Sequence, residues 1–487
     1  MSVEIKVVDC LGLLASKVAP NVFDLSSGQY HVSLRDQLVR GRLLVGDIIS
    51  MDPDFGSLLV VGGGVAGLAV AVAAAEAGKQ VVVLEKSGYP LSKQVGVNSR
   101  FVGPFMYEWP WKFSRSQVYP PVDATCWPTY SGCPALTSSD PVTAADFAKQ
   151  VRLWFDKALA DHPHLHLAID LNKSLQKRVK EFIKGGFSSA GELDLAGMKW
   201  HRASPSPSSI KPAYIILAAG MGAENCSLPE HDGAKVIRGA WFRGTPFWKN
   251  DRLREHAGAG RDVVVVGGGD GALQDVLRAL TDDLHPLQTL RRLESCPVVK
   301  AFLEGVGERL QTIELQGRLM ATWRWNPVVW ESVDTLCSEV ARSLSENSMV
   351  RSAVLGILRR QRRGGGQKVT LLVKNGYFDK AYLLNRFLVH LIFHVFNFLE
   401  VNLKSHDRVL LDVGWNATVE GVQIKSSNHY RVRYNIGGVR RAVDAAYVAV
   451  RFGIDKETIP GLQMVHLSGD DQKQRTSLSR VPLPYAV

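Results

Sequence analysis

Two stretches of the chain share one order of positions: a short apolar run, a glycine-rich turn and a segment with helical spacing. The first begins with Leu58–Val61, which is wholly apolar, as is typical of a central parallel strand covered on both faces. It enters a turn that contains Gly62, Gly64 and Gly67, followed by an alanine-rich segment. Residues 80–84 are apolar again and predict the next strand. This order predicts a parallel strand, helix, strand unit.

The first turn has the residue types of a dinucleotide fingerprint. Gly62 permits a tight turn, Gly64 lets the backbone approach a pyrophosphate, and Gly67 lets the helix pack close to the strand. The helix N-terminus offers free N–H groups to phosphates. Glu85 ends the second strand about 20 residues after the last glycine, where it can accept hydrogen bonds from ribose hydroxyls. The predicted nucleotide contacts are Gly62, Gly64, Val65, Ala66, Gly67, Glu85 and Lys86.

The second stretch repeats the fingerprint with a wider spacing. Four valines lead into a turn with Gly267, Gly269 and Ala272, and a helix is predicted from there. The next good strand, 369–373, comes roughly a hundred residues later instead of about twenty. Residues 285–366 between them predict a mainly helical insertion. The predicted contacts of a second nucleotide are Gly267, Gly269, Asp270 and Ala272.

Further patterns lie between and after the fingerprints. Residues 146–159 predict an amphipathic helix, 164–170 a strand, and 213–217 an apolar strand that ends in a turn of small residues. From 408 to 453, apolar and polar residues alternate around Gly and Asn turns, which predicts β structure. Residues 382–403 are long enough to span a bilayer, but polar residues recur there at helical spacing, which favours a buried helix.

These motifs resemble flavoproteins with two dinucleotide-binding domains, in which the first fingerprint holds the ADP half of FAD. Residues 213–222 are similar to the second family motif, which implies that Ala219 and Gly220 lie close to the flavin dinucleotide. The run MVHLSGDDQ is similar to the third motif, which implies contacts from Gly469 and a ribityl hydrogen bond from Asp470. The GGGDGA turn resembles the NAD(P)H turn of thioredoxin reductase-like enzymes.

The resemblance implies an α/β fold with two Rossmann-like domains, the second carrying a helical insertion and a β-rich C-terminal part. The expected divisions are an N-terminal extension (1–55), an FAD-binding domain (56–250), a second dinucleotide-binding-like domain (251–455) with the insertion 285–366, and a return to the first domain (456–487).

Two residue sets bear on the type of chemistry. The sequence has six cysteines and no C-x-x-C pair, which argues against a disulfide reductase. The few cysteines, together with an N-terminus that lacks a signal-peptide pattern, predict a cytoplasmic protein. Phe242, Gly244 and Trp248 resemble a flavin monooxygenase signature, with Trp248 in place of the signature histidine. The histidines at 162–166 and 390–394 have no carboxylate at metal-ligand spacing, so we expect no metal.

Charge adds two candidate sites. The chain of 487 residues carries a net charge of +11, which favours anionic ligands. Arg100 is the nearest cation in sequence that could reach a pyrophosphate or an acidic substrate. The arginines at 359, 360, 362 and 363 precede the strand at 369, and three interpretations are open: a solvated turn, a clamp for the 2′-phosphate of NADP, or a nucleic-acid contact.

The hypothesis from sequence is an FAD-dependent oxidoreductase in which NADPH or NADH reduces the flavin, which passes a hydride or an oxygen to a small organic substrate. Two alternatives remain. One is a flavin oxidase reduced by its substrate, with a vestigial second nucleotide fold. The other is a non-catalytic or RNA-associated FAD-binding protein, although the sequence makes nucleic acid the less favoured partner. The sequence predicts neither a catalytic residue nor an oligomeric state.

Overall fold

The computed structural model describes residue 13 and residues 16–26, 34–103, 106, 109–110, 140–185, 191–201, 206–233, 235–314, 327–360, 367–399 and 408–465. The elements up to residue 243 are β1 (Lys17–Ala19), β2 (Val22–Asp24), α1 (Leu34–Met51), β3 (Ser57–Val61), α2 (Val65–Glu76), β4 (Gln80–Leu84), β5 (Phe101–Val102), β6 (Val142–Thr143), α3 (Ala144–Asp161), β7 (Leu165–Ile169), α4 (Lys173–Lys184), β8 (Leu193–Asp194), β9 (Lys199–Trp200), β10 (Ser209–Ile210), β11 (Tyr214–Leu217), β12 (Ala223–Glu224), β13 (Ser227–Asp232) and β14 (Lys235–Arg243).

The later elements begin with α5 (Leu253–Gly258), β15 (Val263–Val266), α6 (Asp270–Leu280), α7 (Pro286–Glu294), α8 (Pro297–Gly305), α9 (307–314), α10 (Pro327–Ser345) and α11 (Ser348–Ile357). They continue with β16 (Lys368–Leu372), α12 (Leu383–Phe398), β17 (Leu410–Gly414), β18 (Ala417–Ser426), β19 (His429–Ile436), β20 (Val439–Ala445), β21 (Tyr447–Val450), β22 (Ile454–Asp455) and α13 (Pro460–Met464).

The first domain is built on a seven-stranded sheet in the order β1-β2-β11-β3-β4-β7-β9. The five central strands, from β2 to β7, run parallel, and the two edge strands are antiparallel to their neighbours. All five residues of β3 are buried, which explains its continuous apolar run. The helix α2 covers one face of this sheet, and α1 packs against α2.

The second domain has a four-stranded parallel sheet in the order β17-β16-β15-β21. Numbered along the chain, this is the order 3-2-1-4 of a Rossmann half. The strand expected at 369–373 is β16, which lies directly beside β15 although the insertion separates them in sequence. The described part of that insertion is helical, from α7 to α11. The expected fold class is therefore confirmed.

A third sheet, of five strands, joins segments from both sides of the second fingerprint. Its order is β14-β13-β18-β19-β20, and the strands are antiparallel except for the β13–β18 pair. The β-rich part expected after residue 408 is present as β17 to β21. The strands β13 and β14, which the sequence placed with the first domain, instead pair with this later β structure.

The N-terminal segment corrects another expected boundary. Residues 1–55 were expected to form an extension, but β2 pairs with β11 inside the first sheet, and α1 packs on α2. Gly41 of α1 lies so close to α2 that a Cβ there would be 2.9 Å from the carbonyl oxygen of Ala66. The described part of the N-terminus is therefore an integral layer of the first domain.

The predicted buried helix is α12, whose residues Leu383–Ile392 are all buried. No helix among the described residues is both long and apolar enough to cross a membrane. The polar residues on its buried face have partners: Asp334 of α10 bonds Arg386 at 2.5 Å and His390 at 2.8 Å. This carboxylate, far away in sequence, is the reason why two ionisable groups are tolerated in an apolar helix.

A buried ion cluster joins the two domains. Its members are Arg100, Glu224, Asp251, Asp275, Arg278 and Arg451. Arg100 of the first domain contacts Asp275 of α6 and bonds Asp251 at 2.6 Å. Arg278 bonds both oxygens of Asp251 at 3.0 Å, and Arg451 bonds Asp275 at 2.8 Å. Three cations therefore meet three acids, and all of these side chains are at most 4% exposed except that of Glu224, which is 19% exposed.

The carboxylate of Asp275 is at the centre of this cluster. Burial alone would raise its pKa, but the guanidinium groups of Arg100, Arg451 and Arg278 hold the pKa of Asp275 well below its usual range. The charge is therefore retained, and removing one guanidinium would leave buried negative charge without compensation.

We expect Arg100→Met to lower the free energy of unfolding by about 3–5 kcal/mol, because Asp251 and Asp275 would lose a buried partner. The matched control is Arg42→Met, which breaks the partly exposed Arg42–Glu76 pair (2.8 Å) inside the first domain and should cost below about 1 kcal/mol. Urea unfolding of both variants measures the difference. Equal losses would contradict a special role for the cluster.

Candidate functional site

The first glycine-rich turn lies at the carboxyl end of β3, in the middle of the first sheet. Gly62 has φ +115°, and a Cβ there would be 2.2 Å from the carbonyl oxygen of Ala218, so only glycine fits. A Cβ on Gly67 would be 1.9 Å from the carbonyl oxygen of Gly62. The first and third glycines are therefore required by the fold of the turn itself.

Gly64 has a different reason to be glycine. Its backbone is extended, with φ −79°, and no described atom lies within 4 Å of the point where its Cβ would stand. It is the N-cap of α2, and no side chain caps that helix end. The free N–H groups of the first turn therefore face an open space, as a pyrophosphate site requires.

Glu85 closes the ribose side of this turn. Its carboxylate is 7% exposed and accepts hydrogen bonds from the backbone N–H groups of Gly63 and Ser87, both at 2.7 Å. Each carboxylate oxygen keeps capacity for a second donor, such as a ribose hydroxyl. Val65 and Ala66 form the first turn of α2, and Lys86 is exposed beside Glu85. The structure thus brings together every residue predicted for this turn.

The second predicted motif also reaches this edge of the sheet. The strand β11 pairs with β3 in parallel, so Ala219 and Gly220 follow its carboxyl end next to the glycine-rich turn. Gly220 and Gly222 have φ +103° and +100°, which favours glycine at both positions. The backbone therefore turns tightly beside the open space at Gly64.

Asp24 is a buried acid near this site that the sequence analysis did not single out. It ends β2, opposite Leu217 of β11, so its carboxylate lies at the same edge of the sheet as the first turn. It is fully buried, and its Oδ1 accepts hydrogen bonds from the N–H and hydroxyl of Ser26. Burial raises the pKa of Asp24 to about 6. In the sequence, the signal for Asp24 is weak, because it consists of a three-residue strand that ends in an acid.

Arg100 is not where the sequence placed it. Its guanidinium is 1% exposed and is held by Asp251 and Asp275 in the ion cluster, so it is not available to a pyrophosphate. The described cation nearest to the second motif is instead Lys93, whose Nζ lies 3.9 Å from the point where a Cβ on Gly220 would stand. Burial, reinforced by nearby Lys86, lowers the pKa of Lys93.

The second glycine-rich turn has the same backbone but different surroundings. Gly267 has φ +132°, and a Cβ there would be 2.3 Å from the carbonyl oxygen of Arg451, which matches the relation of Gly62 to Ala218. Gly269 caps α6, and Ala272 is fully buried in that helix. However, carbonyl oxygens of Asp379 and Lys380 face Gly269. The space that is open at the first turn is therefore lined by protein here.

Asp270 has an internal role in this structure. Its Oδ1 accepts hydrogen bonds from the N–H of Tyr382 (3.1 Å) and the amide of Asn385 (2.6 Å), and its Oδ2 accepts one from Gln274 (2.9 Å). Burial raises the pKa of Asp270 to about 6. The carboxylate thus ties the start of α12 to the start of α6.

The interpretation of Arg359 as a 2′-phosphate clamp is wrong. Arg359 comes before β16, at the amino ends of the parallel strands, whereas the glycine-rich turn lies at their carboxyl ends. Its guanidinium bonds Asp282 at 2.7 Å. The position that corresponds to Glu85 of the first domain is Val373, whose side chain faces Gly268, and the next residue, Lys374, is exposed at the carboxyl end of β16. Arg360 pairs through its backbone with Arg408 at the same amino edge.

Some predicted residues lie outside the described part of the chain. They are Gly469 and Asp470 of the third motif, Arg362 and Arg363, and the cysteines at 10, 126 and 133. Gly469 and Asp470 stay predictions, as do the contacts of all other site residues with a bound nucleotide.

The geometry of both turns defines a protein with two dinucleotide-type folds. Residues 57–196 match the FAD dependent oxidoreductase family. This stretch begins at β3 and contains the first turn and Glu85, so the first domain is similar to the domain of FAD dependent oxidoreductases. No curated protein sequence matches the chain significantly.

Three solved structures are similar to this chain over most of its length. Bacillithiol disulfide reductase from Staphylococcus aureus is 14% identical, with 83% of this chain and 79% of that chain covered and a TM-score of 0.36. Thioredoxin reductase from Lactococcus lactis is 11% identical, with 82% and 78% covered and a TM-score of 0.32. Ornithine hydroxylase from Pseudomonas aeruginosa is 13% identical, with 84% and 85% covered and a TM-score of 0.32.

We expect Gly64→Val to purify without flavin while remaining folded. The extended backbone of Gly64 accepts valine, and the new side chain meets no described atom, but it occupies the space of the pyrophosphate. Gly56→Val is the matched control, because Gly56 precedes the other end of β3 and also has open space around it. Absorbance of the purified variants near 450 nm measures their flavin content. Full flavin content in Gly64→Val would contradict a pyrophosphate site at Gly64.

Asp24→Asn should stabilise the protein. The folded state binds the Asp24 proton more tightly than the unfolded chain, whose aspartate pKa is about 4, so above pH 6 the buried charge destabilises the fold. The gain should be on the order of 2–3 kcal/mol at pH 7.5 and should shrink as the pH falls through 6 towards 4.

Urea unfolding at pH 7.5 and at about pH 4 measures the effect of Asp24→Asn on stability. Equal stability of the variant and the wild type at pH 7.5 would contradict a destabilising buried charge at Asp24.

Proposed function

We propose that this protein is an FAD-dependent oxidoreductase in which NAD(P)H, bound by the second domain, reduces the flavin of the first domain. The reduced flavin then passes a hydride or an oxygen to a small organic substrate. The observation that carries the proposal is the open, uncapped helix end at Gly64, set beside Glu85 and within the stretch that matches the oxidoreductase family.

The residues of the first domain have separable tasks in this proposal. The N–H groups at the start of α2 receive the pyrophosphate, and Glu85 accepts the ribose hydroxyls. Lys86 and Lys93 add positive charge on the exposed side of the pyrophosphate. Bound FAD supplies the redox chemistry, and these groups hold and orient it.

The second domain supports NADPH rather than NADH as the reductant. In Rossmann folds an acid after the second strand binds the 2′-hydroxyl of NAD, whereas a cation accommodates the 2′-phosphate of NADP. The residue after β16 and Val373 is Lys374, which is exposed and has no acidic neighbour in sequence. This preference is independent of the arginines at 359–363.

The described residues support a flavin-only electron path. Cys226, Cys296 and Cys337 are free thiols, and burial raises the pKa of both Cys226 and Cys337. A buried thiol with a raised pKa is a poor nucleophile. We therefore propose two-electron reduction at the flavin without a dithiol relay from these three cysteines.

A second candidate is a flavin oxidase reduced directly by its substrate. The observation that favours it is the pair of carbonyl oxygens that line the space at Gly269, where a pyrophosphate would lie. In this case the second fold serves only as a structural partner of the first domain.

Anaerobic mixing of the purified holoprotein with NADPH should bleach the flavin, faster than with NADH. Lys374→Ala should reduce the preference for NADPH, because the cation for the 2′-phosphate is lost. Lys368→Ala is the matched control, since Lys368 starts the same strand at its opposite end and pairs with Asp412. No bleaching by either nucleotide would favour the substrate-reduced oxidase.

A further inference from the structure

Residues 376–382, here named the cover segment, connect β16 to α12 and pass over the second glycine-rich turn. We infer that the cover segment closes the nucleotide site of the second domain and must move away before NAD(P)H binds. This inference rests on the proposed use of NAD(P)H and adds to it an opening step that controls access to the site.

The two turns of this chain provide an internal comparison. At Gly64, no described atom lies within 4 Å of the ideal Cβ position. At Gly269, the equivalent position, the carbonyl oxygens of Asp379 and Lys380 stand at 3.5 and 4.0 Å. The Cβ side of this glycine is where a pyrophosphate approaches the backbone. Phosphate and carbonyl oxygens are both acceptors without a proton to share, so a pyrophosphate and the cover segment exclude one another.

Direct hydrogen bonds hold the cover segment on the turn. The N–H of Asp379 donates to the carbonyl oxygen of Gly268 at 3.0 Å. The first turn has the same bond, from the N–H of Leu91 to the carbonyl oxygen of Gly63 at 3.0 Å, so the bonds to Asp270 are what distinguishes the second turn. At the other end of the segment, the carboxylate of Asp270 accepts from the N–H of Tyr382 and from the side chain of Asn385. The cover segment therefore uses two groups of the turn itself as its attachment points.

The helical insertion holds the middle of the cover segment. The ring of Phe378 is fully buried, and its N–H donates to Asp334 of α10 at 3.0 Å. Arg386 of α12 donates to the carbonyl oxygen of Phe378 at 2.6 Å and also bonds Asp334. The insertion thus has a definite task in the closed arrangement, because its carboxylate fixes the residue that lies over the turn.

The backbone of the cover segment is strained at one position. Lys380 has φ +47°, a conformation that side chains other than glycine rarely adopt. The corresponding segment of the first domain also has a residue with positive φ, Leu91 at +60°, so this conformation is not specific to the second turn. With the cover segment closed in most molecules, the apparent affinity for the nucleotide falls in proportion to the open fraction.

Asn385→Ala tests the inference, because it removes one of the bonds by which the start of α12, directly after the cover segment, is held to Asp270 of the turn. Calorimetric titration with NADP⁺ should show at least tenfold tighter binding to this holoprotein variant than to the wild type. The matched control is Asn435→Ala, whose side chain bonds Gly438 in the distant β19–β20 hairpin and whose loss should leave NADP⁺ affinity unchanged. Equal affinities for Asn385→Ala and wild type, or no binding to either, would overturn the inference.

Hydrogen exchange of the wild-type holoprotein tests the same step without a substitution. Saturating NADP⁺ should speed exchange at the amides of Asp379 and Tyr382, because their acceptors would be separated from them. Unchanged protection of these amides with NADP⁺ bound would overturn the inference that the cover segment moves away. Asn385→Ala could bind NADP⁺ tightly while neither NADPH nor NADH bleaches the wild-type flavin. This result would support the opening of the cover segment and contradict the proposed reduction of the flavin by NAD(P)H.

Discussion

The relative position of the two domains depends on one carboxylate, that of Asp275. It lies on the helix that follows the second glycine-rich turn, and it contacts Arg100 of the first domain and Arg451 at the end of the last strand of the second. A buried charge of this kind is tolerated only with its partners in place. The cluster therefore stabilises a single arrangement in which the carboxyl edges of both sheets are fixed relative to each other.

The site could be predicted from sequence where its determinants are local. The first turn can be recognised from its glycine spacing, and Gly67 is required by a contact with Gly62 inside the same turn, whereas the contact that requires Gly62 comes from Ala218 after the distant strand β11. The role of Arg100 could not be predicted, because Asp251 and Asp275 are far away in sequence. Asp24 was missed because β2 has only three residues, too few to show periodicity.

The error over Arg359 has a different cause. In a parallel sheet, everything that directly precedes a strand lies at the edge opposite to the ligand. Arg359 precedes β16, and this order was visible in the sequence. The long spacing between the second fingerprint and the next strand was also a poor guide to the fold. The insertion lengthens the connection from α6 to β16, but β15 and β16 still pair as neighbours in the parallel sheet.

The pairing of β2 with β11 makes the first domain depend on the whole chain. Val22 pairs with Ile215, and the carboxylate of Asp24 packs against Gly461 of α13, which follows the entire second domain. During synthesis, β2 must wait for almost two hundred residues before its neighbour in the sheet leaves the ribosome, and longer still for the segment that covers Asp24. Contacts of such long range slow folding. The second domain thus has all its strands available before the first domain is complete, and it can provide a folded surface on which Arg100 is finally placed.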